Sequence, residues 1–247
     1  MQDSLNAPAV LTRLDVSYLP LPNRVDLVLT DVPPPAELTP TAFMIGITDD
    51  GGLVLADHAE RGPEISGGHL EPGETPEDAA RREGCEETGA TYWSVWPIGY
   101  LRCTSEGTVP EDHPYPHPVG YQALYAGSVV SMDARDDYLE CRPPSIVHPA
   151  EFGSLDPSLA AQLVPMYDAA MRALGRDRTM EQLAAEARSI DDDDWGSERQ
   201  VDAENRFFDE CRRHRPATFD DAGDFADWCL KATTDERIDE AMRLLAA

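Results

Sequence analysis

Basic charge is what this sequence has least of. Twenty Lys and Arg stand against 47 Asp and Glu, a formal net charge of −27, and Lys231 is the only lysine. Polyanions are bound by Lys and Arg neutralising their phosphates, so neither nucleic acid nor an anionic membrane surface is an expected partner. No apolar stretch approaches the length needed to span a bilayer. Residues 1–20 lack the basic start and apolar run of a secretory leader. The five cysteines (Cys85, Cys103, Cys141, Cys211 and Cys229) form no Cys-x-x-Cys and no regular spacing. That argues against a disulfide framework or a zinc site. These absences point to a soluble, cytoplasmic protein with reduced thiols.

What is present is an ordinary globular interior, with 41% apolar residues. Alternation over 9–31 (Leu14, Val16, Tyr18, then Val25, Leu27, Leu29) predicts two short strands about a Pro20–Asn23 turn, before the stiff Pro33-Pro34-Pro35 connector. Ala42–Thr48 and Leu53–Ala56 read as strands joined by the Asp49-Asp50-Gly51-Gly52 turn. Further strands are expected at Trp93–Arg102 and Tyr121–Val130, with a Pro-rich loop, Val109–Pro118, between them. Ser158–Leu174 has helical apolar spacing, interrupted by Pro165. Four amphipathic helices follow, at Met180–Ile190, Val201–Arg213, Phe219–Ala232 and Ile238–Leu245, with Asp191–Asp194 a solvated linker. The expected layout is an N-terminal strand extension (1–40), a mixed α/β domain (41–175) and an acidic helical C-terminal region (176–247).

The chemistry concentrates in Gly67–Ala90. Thr75 is a good N-cap with Asp78 as its capping-box partner, Pro76 suits the first helical position, and Gly89 suits the C′ position. A helix is therefore predicted over Pro76–Thr88, entered from a glycine-rich loop. Glu83, Glu86 and Glu87 then share one helix face. Glu86 and Glu87 lie in the last turn, where the helix dipole disfavours acids. A divalent cation would resolve that repulsion, because Mg2+ takes hard oxygen ligands and keeps room for substrate phosphates.

With these residues in place, the stretch resembles the Nudix box, G-x5-E-x7-R-E-U-x-E-E-x-G-U, where U is bulky and aliphatic. Gly68, Glu74, Arg82, Glu83, Glu86, Glu87 and Gly89 all fall in register. The resemblance implies an α/β/α sandwich with a mixed sheet, and an enzyme that cleaves a diphosphate linkage in a nucleotide-like small molecule. It implies Glu74, Arg82, Glu83, Glu86 and Glu87 as the catalytic set. It also implies Mg2+, with Mn2+ as a substitute, held by the Gly67 carbonyl and by Glu83, Glu86 and Glu87, with Arg82 orienting Glu83. The general base stays open between a box residue and Glu111, Asp112, Glu140 or Glu151. Two positions depart from the pattern. Ala90 is a small version of the last aliphatic, and Gly84 replaces a bulky one. Since interiors rarely keep voids of leucine size, a neighbour is expected to fill the space at Gly84, either an aromatic near Trp93–Tyr100 or the C-terminal helices.

Other features carry less. Tyr115, His117 and Tyr121, near the Pro-rich loop, are candidate substrate contacts. Tyr92, Trp93, Trp96 and Tyr100 alternate as strand and core residues do. His69 is assigned no role, and Arg212, Arg213 and Arg215 read as an ordinary helix end. The alternatives to a hydrolase are a nucleotide-sensing or protein-interaction module on the same core, and an isomerase. An intact set of box glutamates favours the enzyme. A homodimer stays open.

Overall fold

The computed structural model describes residues 7–109, 115–134, 141–189, 198–214 and 233–246. The chain divides into two units, Met1–Ala173 and Leu174–Ala247. In the first, the described residues form one mixed sheet of β1 (Leu11–Leu14), β2 (Asn23–Leu29), β3 (Thr41–Ile47), β4 (Leu53–His58), β5 (Gly62–Glu64), β6 (Ser66–His69), β7 (Ala90–Ser105), β8 (Val119–Met132) and β9 (Cys141–Val147). The order is β1-β2-β7-β8-β3-β4-β5, with β6 also paired to β3 and β9 to β4. Among the described residues only β3 and β8 pair in parallel, from Thr41 opposite Gln122 to Ile47 opposite Ser128. Along its other edge β3 meets β6 over Thr41–Met44 and β4 over Gly46–Ile47. The sheet therefore forks there, and the functional cavity lies by that fork.

The elements form where the local chemistry directs them. β3 reads Thr-Ala-Phe-Met-Ile-Gly-Ile and is buried almost throughout, as a strand covered on both faces should be. Helix α1 spans Pro76–Thr88: the Thr75 hydroxyl accepts from the Asp78 amide, and Gly89, at φ 71°, caps the other end with its amide on the Cys85 carbonyl. Helix α2 spans Pro157–Ala173 and runs through Pro165. Asp156 Oδ1 accepts from the amides of Ser158 and Leu159 at its start. On β3 and β8, Ala42, Met44, Ala123 and Tyr125 pack against Ala79 and Ala80 of α1. Side chains alternate across a strand, so Thr41, Phe43 and Gln122 face the other way, toward the α2 side. This is the expected α/β/α arrangement.

The N-terminal strands are integral to the sheet. β2 pairs with β7 over its whole length, from Asn23 opposite Ser105 to Leu29 opposite Gly99. Asp26 ties three strands at once: it accepts from Thr12 Oγ1 at 2.6 Å, Arg24 Nε at 2.8 Å and Arg102 Nη2 at 2.9 Å. Burial works to raise its pKa, but these donors outweigh burial and hold the carboxyl below the usual aspartate range.

The space at Gly84 is filled by Tyr92. A Cβ at Gly84 would lie 2.5 Å from the Tyr92 hydroxyl oxygen and 2.9 Å from Cε2. The same ring lies against Gly127 and Gly46, where a Cβ would come within 2.5 and 3.2 Å of it. Gly46 and Gly127 are register partners on β3 and β8. Three glycines from two strands and a helix thus form a slot for one phenol ring, and an aromatic on β7 supplies the bulk that α1 lacks.

In the second unit, helices α3 (Met180–Arg188), α4 (Glu198–His214) and α5 (Thr234–Ala246) close a small core. Leu183, Ala187, Phe207, Cys211 and Ile238 are fully or almost fully buried in it. Arg212 and Arg213 are spent on Asp209 and Glu210 of the same helix. The Phe219–Ala232 helix, Ile190, Asp191–Asp194 and Arg215 lie outside the described residues. Among the described residues no helix is long and apolar enough to cross a membrane.

Candidate active site

Of the acids singled out in the sequence, Glu74, Glu83 and Glu86 converge on Arg82. Its Nε and Nη2 grip both oxygens of Glu74 at 2.9 and 3.0 Å. Nη1 meets Glu83 Oε1 at 2.9 Å and Glu86 Oε2 at 3.1 Å, and Nη2 also donates to the His69 carbonyl at 3.0 Å. Arg82 therefore does more than orient Glu83: one planar cation holds three carboxylates and pins the glycine loop to the helix. Only a guanidinium has enough rigidly placed donors for this. The hydrogen bonds with Glu74, foremost, raise the Arg82 pKa, and Arg82 in turn lowers that of Glu74. Both stay charged. Glu74 also accepts from the Glu71 amide at 2.9 Å, which closes the loop before α1.

Glu87 is set apart. It turns from Arg82, and Oε2 accepts from the Gly67 amide at 3.0 Å. Burial, opposed by that hydrogen bond and reinforced by the charges of Glu83 and Glu64, pushes its pKa up to about 7. Gly68 makes room for Glu83, since a Cβ there would lie 2.2 Å from Glu83 Oε1. Without side chains on Gly67 and Gly68, the acids of α1 reach past β6.

They open onto a cavity of about 1440 Å3. Its acidic end is lined by Gly67, Glu83, Glu87 and Glu64, the last paired with Arg61 at 2.6 Å. The cavity is also lined by Arg13, Tyr18, Tyr115, Gln122, Thr41 and Leu101. The ring centroids of Tyr18 and Tyr115 are 6.3 Å apart, and those of Tyr115 and His69 are 5.7 Å apart. Of the three suggested substrate contacts, Tyr115 alone lines the cavity. Tyr121 is a core residue, correcting the expectation: it sits edge-on to Tyr100 at 5.3 Å and packs with Val28. His117 is exposed and lies outside the cavity lining. Among the proposed bases, Glu111, Asp112 and Glu140 lie outside the described residues. Glu151 is engaged at a helix start, where Oε2 accepts from the His148 amide at 2.9 Å.

Sequence reasoning missed Glu64, Gln122, Arg13 and Tyr18. The two N-terminal residues reach the cavity only through the pairing of β1, β2 and β7, which no local pattern announces. Among the described residues, no three His, Cys, Asp or Glu side chains stand converged as a ligand set. Arg82 has drawn Glu83 and Glu86 to itself. The donor chemistry nonetheless suits a hard cation: the carboxylates of Glu83, Glu87 and Glu64 line one cavity and offer it oxygen ligands.

A glutamate-bearing helix clamped to a glycine loop, on the fork of a mixed sheet, defines a class. The NUDIX domain model matches residues 37–167, more than half of the chain, and the protein belongs to the Nudix family. A relative from Bacillus subtilis (strain 168), YtkD, bears the name of a putative 8-oxo-dGTP diphosphatase; it is 31% identical over 98 residues, which cover 40% of this chain and 56% of that protein. The alignment thus spans just over half the length of the relative. Among solved structures, the Bacillus subtilis pyrophosphohydrolase BsRppH, in a mutant form, is 23% identical with a TM-score of 0.49, covering 66% of this chain and 96% of that one. A NUDIX hydrolase from Nitrosomonas europaea is 24% identical with a TM-score of 0.38, covering 52% and 87%.

Proposed function

We propose that the protein is a Mg2+-dependent pyrophosphohydrolase that cleaves the diphosphate linkage of a nucleoside triphosphate or of a nucleoside diphosphate joined to another group. The observation that carries this is the division of labour among the box acids. Arg82 fixes Glu74, Glu83 and Glu86, while Glu87 stands apart in the cavity, held by the Gly67 amide. The name of the Bacillus relative, an 8-oxo-dGTP diphosphatase, supports a nucleotide substrate.

Glu83, Glu86, Glu87 and the Gly67 carbonyl would hold the cation, with Mn2+ able to replace Mg2+. When bound, it supplies neutralisation of phosphate oxygens and activation of water. The chain's own part is positioning. Arg82 keeps Glu83 in one rotamer and the Gly67–His69 strand at a fixed distance from α1. The Gly67 amide holds Glu87 Oε2 and leaves the other oxygen to carry a proton or meet a cation.

The test is pyrophosphate or phosphate release from a panel of nucleoside triphosphates, nucleotide sugars and dinucleotides, with Mg2+ or EDTA, for the wild type and for Glu83→Gln and Glu87→Gln. Turnover should vanish in EDTA and fall in both variants, with melting temperatures little changed. Wild-type rates in EDTA, or full activity in both variants, would overturn the proposal.

A further inference from the structure

The cavity has a second polar feature that the hydrolytic chemistry does not use. Register pairing sets Leu101, Gln122, Thr41 and His69 in one row across β7, β8, β3 and β6. Residues paired in register point to the same face, and all four line the cavity. Gln122 is only 4% exposed and Thr41 only 3%. The Thr41 hydroxyl has no hydrogen-bond partner among the described residues. The Gln122 amide likewise makes no side-chain hydrogen bond among them, yet it stands in the cavity wall between a leucine and a threonine.

A buried hydroxyl without a partner, as at Thr41, is costly, because it has given up water and received nothing in exchange, and the Gln122 amide beside it opens to the cavity. Such groups in a cavity mark where a ligand supplies the missing partners. An amide offers an acceptor and a donor side by side, which matches an edge carrying a donor beside an acceptor. Nucleobases have such edges, and paired hydrogen bonds from Gln to a base are a known geometry. Phosphate does not, since it has acceptors only. The surroundings suit a flat ring: Phe43 lies one row along β3, and the Tyr18–Tyr115 pair stands at the rim. The acids line the same cavity, with Gly67 opposite Phe43 one row along from Thr41 and His69.

We infer that Gln122, backed by Thr41, is the base-reading residue, and that the substrate is a nucleotide whose base enters the aromatic end while its diphosphate lies at the glutamates. This rests on the hydrolase reading for the placement of the diphosphate. Its test is equilibrium binding, which needs no turnover, so the two readings fail separately. The four α,β-methylene deoxynucleoside triphosphates and inorganic tripolyphosphate are titrated calorimetrically into the full-length protein with Mg2+. In the wild type at least one nucleotide should bind more tightly than tripolyphosphate. In Gln122→Met, close in volume, the ratio of nucleotide to tripolyphosphate affinity should fall about tenfold or more. Gln122→Glu replaces the amide donor with an acceptor, so the rank order of the four bases should change, which mere loss of packing would not produce. Melting curves confirm that each variant folds; should Gln122→Met fail to fold, the base ranking of Gln122→Glu decides. An unchanged ratio in a folded Gln122→Met, an unchanged ranking in Gln122→Glu, or wild-type protein that prefers no nucleotide over tripolyphosphate would overturn the inference. Nucleotide binding that depends on Gln122 in a protein without hydrolase activity would sustain it and remove the reading beneath it.

Discussion

Replacing Gly84 with leucine puts the Tyr92 slot to a quantitative test. A Cβ at Gly84 would sit 2.5, 2.9 and 3.0 Å from three atoms of the Tyr92 phenol, whereas carbon atoms rest at about 3.5–4.0 Å. The ring cannot retreat, because the backbones of β3 and β8 already touch it at Gly46 and Gly127. Leucine brings three further carbons into the same space. Overpacking of this kind costs about 1–3 kcal/mol, which exceeds the ~1 kcal/mol that helix propensity returns when glycine is replaced. Tyr92→Ala, which empties the slot, should cost about 3–5 kcal/mol, as large aromatic truncations do. The decisive variant carries both changes. The leucine then enters the vacated space, and the double mutant should be more stable than the sum of the single losses by about 1–3 kcal/mol. Urea unfolding midpoints at constant slope measure all four proteins. Activity supplies a second readout, because Glu83 and Glu87 ride on the same helix and Gly84→Leu should lower turnover along with stability. Strict additivity, or a Gly84→Leu protein that is more stable and fully active, would refute the reasoning.

Three further outcomes are expected. Arg82→Lys keeps the charge but loses the fork that holds Glu74, Glu83 and Glu86, so kcat should fall about 100-fold by misplacement of those groups; steady-state rates within about twofold of the wild type would show the clamp to be dispensable. Asp26→Asn should destabilise the sheet by about 2–3 kcal/mol at neutral pH, a buried partner of Arg102 having lost its charge. Because the folded pKa of Asp26 lies below the unfolded one, its contribution is present above the usual aspartate range and lost as pH falls through the folded value; a stability gap between the two proteins that widens on acidification would contradict this. Finally, each unit closes a core of its own, so a chain ending at Ala173 should fold and keep its hydrolytic rate, and a fragment that is unfolded by circular dichroism would show the C-terminal helices to be required.

Where function concentrates, the sequence was legible. Helix α1 begins at Pro76 and ends at Thr88 because its caps are local chemistry, readable without any tertiary contact. The shared face of Glu83, Glu86 and Glu87 followed from helical periodicity, Glu74 and Arg82 from the resemblance to the Nudix box, and the filled space at Gly84 from the density of protein interiors. What escaped reading depends on distant partners. β5 and β6 are three and four residues long and rich in glycine, and β9 carries Pro143 and Pro144, so none shows strand periodicity. Gln122 lies in a run of apolar residues where one amide looks incidental; its meaning arises only when β3 sets Thr41 beside it. Tyr121, its neighbour, pointed the other way by the alternation of the strand.

The segment that aligns with the family begins at residue 37, yet Arg13 and Tyr18 in the cavity wall arrive from before it, on a hairpin fastened through β2 and β7. Part of the keyhole is thus written on a stretch of chain apart from the engine. A lineage can change those two wall positions without disturbing one carboxylate of the box, while Thr41 and Gln122 stay within the aligned segment. For the engineer the same partition is a ready handle: Arg13 and Tyr18 can be exchanged to reshape one wall of the cavity while the strands that carry them and the machinery from Gly67 to Gly89 are left untouched.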